Sequence, residues 1–225
     1  MTDTTRAEPA PSDLPPLAGG YLGDPAEQQE WDGRYADRDQ LWSGEPNGAL
    51  VAETAGLTPG RVLDVGCGEG ADAVWLARKG WDVTGIEVSG LALQRAAAHA
   101  HDAGVDVRWV HAELTEAGLA PGSFDLVSAQ YPALLRTPEA SAERALLAAV
   151  APGGVLLLVH HAGMDAHQND SGFDPADYVW PTMVSALLDE DWVIECDEQR
   201  ARDVPVGGAG AHHAADLVLR ARRLR

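Results

Sequence analysis

The sequence predicts an α/β fold, an open and mostly parallel sheet with helices on both faces. Three observations carry this. Short apolar runs alternate along the chain with longer helical stretches, the pattern of βαβ units. Several of those runs have almost no polar interruption, as strands buried on both faces do. Finally, Arg61-Val62-Leu63-Asp64-Val65-Gly66-Cys67-Gly68-Glu69-Gly70-Ala71 reads as a strand, a glycine-rich turn and a helix start in direct succession. A strand, such a turn and a helix N-terminus form a nucleotide-binding corner.

The spacing in that corner narrows the ligand. Gly66, Gly68 and Gly70 stand at every second position, led by Asp64 at the strand's end. The dinucleotide fingerprint is G-x-G-x-x-G, with a pyrophosphate on the helix N-terminus. An anion is a poor fit beside Asp64 and Glu69, and a cationic or zwitterionic ligand suits the site better. The plain alternative is a tight βα turn of any α/β protein. The Asp-x-Gly-x-Gly-x-Gly form of Asp64 to Gly70 resembles motif I of the class I S-adenosylmethionine (SAM) methyltransferases. The resemblance implies that Asp64, Gly66, Cys67, Gly68 and Gly70 surround SAM. Cys67 is read as a small packing residue and not as a nucleophile.

At 225 residues the chain suits one domain with a real core. The formal net charge of −19 argues against nucleic acid and against anionic membranes as partners. There is no apolar leader and no stretch of membrane-spanning length. Two cysteines outside any C-x-x-C pair give neither a zinc ribbon nor a disulfide framework. A cytoplasmic, reduced protein that binds no metal is the simplest reading.

In chain order, residues 1–24 read as a Pro/Gly-rich tail, disordered or loosely docked, and residues 25–225 as the domain. A helix is expected from Pro25 to Asp37, capped by Asp24, with Trp31 and Tyr35 on one face. Leu41-Trp42-Ser43-Gly44-Glu45-Pro46-Asn47 is a turn-rich segment before a helix from Gly48 to Gly56. Together with Trp31-Asp32-Gly33-Arg34-Tyr35 it resembles the N-terminal signature of the methyltransferases related to the thiopurine and tellurite-resistance enzymes. The resemblance implies that Trp31, Tyr35 and Trp42 close over the cofactor. Aromatic faces near a sulfonium give cation–π stabilisation, and a lid excludes water. The same residues would equally serve to pack a short helix onto the sheet.

The corner is followed by a helix from Ala71 to Lys79, stopped by Gly80. Asp82 to Glu87 is a second strand ending in an acid. Glu87 lies about 20 residues beyond the glycine turn, the place of a ribose-binding carboxylate, with Val88 beside it. The alternative is a solvated strand-end glutamate. Ser89 caps a helix from Gly90 to Ala103, on which His99 and His101 are read as exposed. Asp106 to Val110 is a third strand. By resemblance, Glu113 contacts the adenine amino group where the family more often has aspartate, and Ala112 and Leu114 flank the ring. Ser123 to Tyr131 is the fourth strand, with Gln130 and Tyr131 at its carboxyl end, where ligands of open α/β sheets bind. A helix from Pro138 to Val150, a turn at Pro152-Gly153-Gly154 and a fifth strand from Val155 to Val159 follow.

His160 and His161 end that strand. Either suits a general base near neutral pH, a metal ligand with His167, or a strand-end residue bonded to backbone. Adjacent strand residues face opposite ways, so both reach one point only through a bend. Catalytic residues are therefore left unassigned. A loop from Ala162 to Asp177, ending near Phe173, and a helix face of Met183, Leu187 and Leu188 come next. Two strands, Trp192 to Cys196 and Ala215 to Ala221, are joined by the Pro/Gly-rich stretch Val204 to Ala211, with His212 and His213 just before the last strand.

The resemblance implies a Rossmann-like, seven-stranded, mostly parallel sheet closed by a terminal antiparallel hairpin, its last strand inserted into the sheet. It implies methyl transfer from SAM, by in-line attack, to a small-molecule thiol, amine, hydroxyl or metalloid, with S-adenosylhomocysteine as product. Two other readings stay open: a catalytically silent SAM-binding regulatory protein, and a nicotinamide oxidoreductase, which the glycine spacing disfavours.

Overall fold

The structure is a computed structural model that describes residues 20–163, 174–202 and 214–225. Helix α1 (Pro25–Ala36) begins where the sequence places it, with the Asp24 carboxylate accepting from the Ala26 N–H and proline in the first turn. Helix α2 (Gly48–Thr54) precedes the sheet. Strands β1 (Arg61–Val65), β2 (Asp82–Glu87) and β3 (Arg108–His111) alternate with α3 (Ala71–Arg78) and α4 (Gly90–Ala103). Strand β4 (Phe124–Gln130), helix α5 (Ser141–Ala149) and strand β5 (Val150–His161) follow, then α6 (Pro181–Ser185), β6 (Trp192–Ala201) and β7 (Ala215–Arg223).

The sheet has seven strands in the order β3-β2-β1-β4-β5-β7-β6. The first five run parallel, and β7 lies antiparallel between β5 and β6. The Rossmann-like sheet with an inserted terminal hairpin is therefore as expected. Strand order reverses beside β1, and the crevice outside the carboxyl ends of β1 and β4 is where such sheets bind ligands.

Alternation along the strands sorts the core into two layers. Leu63, Val65, Val127, Ala129, Leu156 and Leu158 pack with Leu146 of α5 and Val184 of α6. Val62, Leu126, Val155, Leu157 and Val159 pack with Leu50 of α2 and Leu76 of α3. Asp64 shares the face of Val62, so its carboxylate lies in the second layer, buried at the end of the strand.

Several bounds differ from expectation for local reasons. Helix α5 starts at Ser141 and not Pro138, because Ala140 takes the left-handed conformation (φ 54°) just before it. Strand β5 begins already at Val150, and the Pro152-Gly153-Gly154 stretch is an irregularity in its pairing with β4, between Phe124 and Leu126. Strand β6 runs to Ala201 and not Cys196. It is an edge strand with mostly exposed residues, so no apolar period marks its length. In the expected Ala162–Asp177 loop, Pro175–Asp177 forms a short 3₁₀ turn. His167, Phe173, the Val204–Ala211 connection, His212, His213 and residues 1–19 lie outside the described residues. Among the described residues no helix is long and apolar enough to cross a membrane.

Candidate functional site

A cavity of about 730 Å³ opens at the carboxyl ends of β1, β2, β4 and β5, beneath α1 and the segment that joins α1 to α2. Every residue expected at the cofactor lines it except Gly70. Gly70 instead sits behind the turn, where a Cβ would meet Ala96 of α4 at 2.8 Å and the Trp109 ring at 3.0 Å. It lets α3 approach its neighbours, and it does not line the cavity.

Gly68 is the tight point of the turn. Its φ is +52°, and a Cβ would come within 2.9 Å of the Tyr35 hydroxyl and 3.2 Å of Trp42 Nε1. The two aromatics are tied to each other, Trp42 Nε1–H donating to the Tyr35 hydroxyl at 3.0 Å. The 41–42 segment is tied to the turn by Glu69, whose carboxylate accepts from the Leu41 and Trp42 N–H groups, each at 3.1 Å. Arg95 of α4 pairs with Glu69 at 2.8 Å and also donates to the Tyr35 and Arg38 carbonyls. Tyr35 and Trp42 thus both pack against the turn and line the cavity. Trp31 lines it too, with the Arg34 guanidinium 4.6 Å from its ring centroid.

Besides Glu69, three carboxylates are buried around the turn. Asp72, in the first turn of α3, accepts from the Asn47 N–H and Nδ2–H, each at 2.7 Å. Burial pushes its pKa up against those two bonds. Glu87 accepts from the Gly68 N–H with one oxygen and from the Val88 and Ser89 N–H groups with the other, all at 3.0 Å. Burial raises its pKa as well. Asp64 is pushed well above the usual carboxylate range, by burial first and then by Asp72 and Glu87. Its Oδ2 and the Oε1 of Gln130 are buried with no hydrogen-bond partner among the described residues. Cys67 is buried beside them and burial pushes its thiol pKa up, which makes it inert.

At the far end of the turn, Ala112 and Leu114 give a buried apolar wall, and the Ala112 N–H donates to the Glu87 carbonyl at 3.2 Å. Glu113 lines the cavity, and its Oε1 already accepts from the Tyr21 hydroxyl and the Asp24 N–H. Glu27 of α1 stands nearby. Burial first, then Glu113, Asp24 and Glu87, pushes its pKa up to about 7. His99 takes a bond expectation did not give it, its Nδ1 lying 2.9 Å from the Glu69 carbonyl.

The other end of the cavity is aromatic. His160 packs at 4.5 Å between ring centroids on Trp180, and His161 stacks at 4.1 Å on Tyr131. Both histidines line the cavity, because each engages a different wall. Burial, then His161, lowers the His160 pKa to about 4, opposed by a bond to the Val179 backbone. Its Nε2 is buried with no partner among the described residues, so the Val179 contact falls to the Nδ1 side. Tyr131 has a positive φ of 52°, a costly state for a tyrosine. It is held by its hydroxyl, which donates to Asp216 Oδ2 at 2.9 Å, and by the Arg202 guanidinium 4.9 Å from its ring centroid. Among the described residues no group of three or more metal-ligating side chains is gathered.

Sequence reading missed the second ring of contacts. Asp32 of α1 caps α4 by accepting from the Ser89 hydroxyl at 2.6 Å and the Leu91 N–H at 3.1 Å. Glu69, Asp72, Asn47 and Arg95 carry the lid ties. Of these, only Asp72 had a local signal, an acid in the first turn of a helix.

Residues 62–154 match the model of a methyltransferase domain. The matched stretch holds the turn, Glu87, Glu113 and Gln130. Over 108 residues the chain is 42% identical to the ubiquinone biosynthesis O-methyltransferase of Ralstonia nicotianae, covering 46% of this chain and 44% of that protein. The chain thus spans less than half the length of this curated relative. Among solved structures, one from work on the conversion of a disulfide bond into a thioacetal group during echinomycin biosynthesis superposes with a TM-score of 0.70 at 24% identity, over 88% of this chain and 92% of that one. TehB from Haemophilus influenzae superposes with a TM-score of 0.62 at 14% identity, over 86% and 66%. At these identities the likeness is one of fold. The fold shared with these structures is the Rossmann-like one, and the stretch that matches the methyltransferase domain holds the glycine turn at the cavity.

Proposed function

We propose that this chain is a SAM-dependent methyltransferase acting on a small-molecule acceptor, belonging with the group related to the thiopurine and tellurite-resistance enzymes, in a cytoplasmic setting. The observation that carries the cofactor is the pair of orphaned acceptors, Asp64 Oδ2 and Gln130 Oε1, buried on the cavity wall. A buried acceptor without a donor is costly, and an ammonium group supplies donors and the opposite charge. A pyrophosphate would add negative charge beside Asp64, Asp72 and Glu87. The site therefore fits SAM and not a nicotinamide dinucleotide.

In this reading Asp64 and Gln130 hold the amino-acid end of SAM. Glu87 accepts from the ribose hydroxyls, beside Val88. Ala112 and Leu114 sandwich the adenine, and Glu113 faces its amino group. Gly66, Cys67 and Gly68 bring the backbone close, while Trp31, Tyr35 and Trp42 exclude water from above. When bound, SAM supplies a methyl group already activated by a positive sulfur. The protein then has only to align an acceptor and take up a proton where the acceptor carries one. His160, kept neutral by burial, is the group at the aromatic end of the cavity suited to that, its Nε2 lone pair accepting the proton as the acceptor gains the methyl group and becomes acidic. The O-methylation named for the Ralstonia relative makes a hydroxyl acceptor the first to try, ahead of thiols, amines and metalloids.

Calorimetric titration with SAM, S-adenosylhomocysteine and NAD tests the reading. Binding of the two adenosyl compounds alone is the expected result, and binding of NAD alone would sink it. A silent SAM-binding protein would bind both and turn over none of a panel of hydroxyl, thiol, amine and metalloid acceptors.

A further inference from the structure

Residues 20–24, just ahead of α1, meet the cavity through Asp24, which lines it, and through the Glu113 side chain they hold. Leu22 pairs in parallel with Ala112 beyond the end of β3. Its N–H donates to the His111 carbonyl at 3.2 Å, and its carbonyl accepts from the Glu113 N–H at 2.8 Å. This pairing sets two donors on Glu113 Oε1, the Tyr21 hydroxyl at 3.3 Å and the Asp24 N–H. The Tyr21 ring rests against His111 with centroids 4.8 Å apart, and His111 Nε2 lies 3.0 Å from the Val88 carbonyl. Gly23 makes the turn between the two donors. Its φ is +151°, and a Cβ there would lie 2.5 Å from the Tyr21 hydroxyl and 2.6 Å from Glu113 Oε1. Every position from 21 to 24 therefore takes part in holding one carboxylate.

The consequence is preorganisation. A free glutamate has more rotatable bonds to immobilise on binding a ligand than the aspartate usual in the family, and that entropy would be lost at each binding event. Here the carboxylate is fixed beforehand, with Oε1 taken and Oε2 without a hydrogen bond among the described residues. An ionised carboxylate only accepts, so the ligand atom that meets it has to carry a proton.

We propose that Tyr21, Leu22 and Asp24 form a strap that positions Glu113 to read the exocyclic amino group of the cofactor's base, so that discrimination of adenine from hypoxanthine depends on the segment before α1. The inference rests on the SAM reading above. Hypoxanthine presents a carbonyl at that place, which repels a carboxylate, whereas adenine presents a donor.

The test uses the full chain and titration calorimetry with S-adenosylhomocysteine and S-inosylhomocysteine, on wild type, Tyr21→Phe and a variant lacking residues 1–22. Wild type is expected to prefer the adenosyl compound by at least about tenfold, the scale of one well-placed polar contact to a charged group. Tyr21→Phe keeps the ring and loses only the hydroxyl. It should lower that preference about threefold or more, through weaker binding of the adenosyl compound alone, and the deletion should lower it further. A purely structural strap would weaken both ligands alike and leave the ratio unchanged, which overturns the proposal. So does a wild type that binds the two ligands equally. A wild type that binds neither sinks the SAM reading instead.

Discussion

Replacing His160 by phenylalanine should remove a pH-dependent cost from the folded protein. The imidazole titrates at about 4 in the fold against an ordinary value of 6.5, because burial and then His161 disfavour its charged form. The folded-state value is depressed, so between these two pH values the unfolded chain binds more protons than the native one. Stability then rises with pH across that window and is lost as pH falls through it. A difference of about 2.5 at about 1.4 kcal/mol per pH unit gives roughly 3.5 kcal/mol, of which about 3 kcal/mol is lost by pH 4. The charged group that acts on the ring is His161, and it remains in the variant, as does Trp180, on which the ring packs. Asp64, Asp72 and Glu87 have raised values and work in the opposite direction, but they too are common to both proteins. Urea unfolding of wild type and His160→Phe from pH 7.5 to 4 isolates the difference. The variant loses the Val179 bond at every pH, which offsets its curve without tilting it. Wild type should lose about 3 kcal/mol more than the variant over this range. Parallel curves would show that His160 is not a buried neutral imidazole, and with that its role as a neutral proton acceptor at the cavity would fail.

Three further outcomes are expected. Gly68→Ala puts a methyl group into the Tyr35–Trp42 contact at a left-handed residue, at a cost of about 1–2 kcal/mol from the backbone alone. Both the melting temperature and S-adenosylhomocysteine affinity should fall, and an unchanged melting temperature would refute the crowding argument. Glu87→Ala should weaken S-adenosylhomocysteine binding about tenfold or more while near-UV circular dichroism stays native, and normal binding would refute the ribose assignment. Arg95→Met leaves the buried Glu69 carboxylate without its cation and should cost about 3 kcal/mol in urea unfolding, and a loss below 1 kcal/mol would mean that the Leu41 and Trp42 N–H groups alone hold it.

The parts of the site that could be read from the sequence are those where local geometry forces the residue type. Gly68 has to be glycine because two aromatics cover it, and Gly70 because α4 and Trp109 crowd it, so the motif records packing as much as ligand contact. Buried strand interiors are legible for the same reason: runs such as Leu156–Val159 allow little but β-branched and aliphatic side chains, although β5 itself begins earlier, at Val150. What stayed hidden depends on contacts between distant residues. Nothing local in Glu69 says that it will hold residues 41 and 42, and nothing in Asp32 says that it will cap a helix 57 residues later. Tyr21 to Asp24 lie in a Pro/Gly-rich stretch, and Leu22 joins the edge of the sheet through backbone bonds alone, which leave no side-chain pattern. Strand β6 is exposed on an edge, so its length has no hydrophobic period to betray it.

The electrostatics of the turn joins these threads. Asp64, Asp72 and Glu87 are all buried, and each is pushed toward its neutral form by burial before anything else. Apolar residues in their place would make a more stable empty protein. The fold answers two of the three from within, with Asn47 for Asp72 and three backbone N–H groups for Glu87. It leaves Asp64 Oδ2 unanswered, on the wall of the cavity and at the face of the glycine turn. A ligand bearing a positive charge lowers the cost of keeping Asp64 ionised and thereby stabilises the fold that binds it. A ligand bearing phosphates raises that cost. The same buried charges that weaken the empty site therefore select for a cation in the occupied one, and this holds whichever acceptor the aromatic end of the cavity receives.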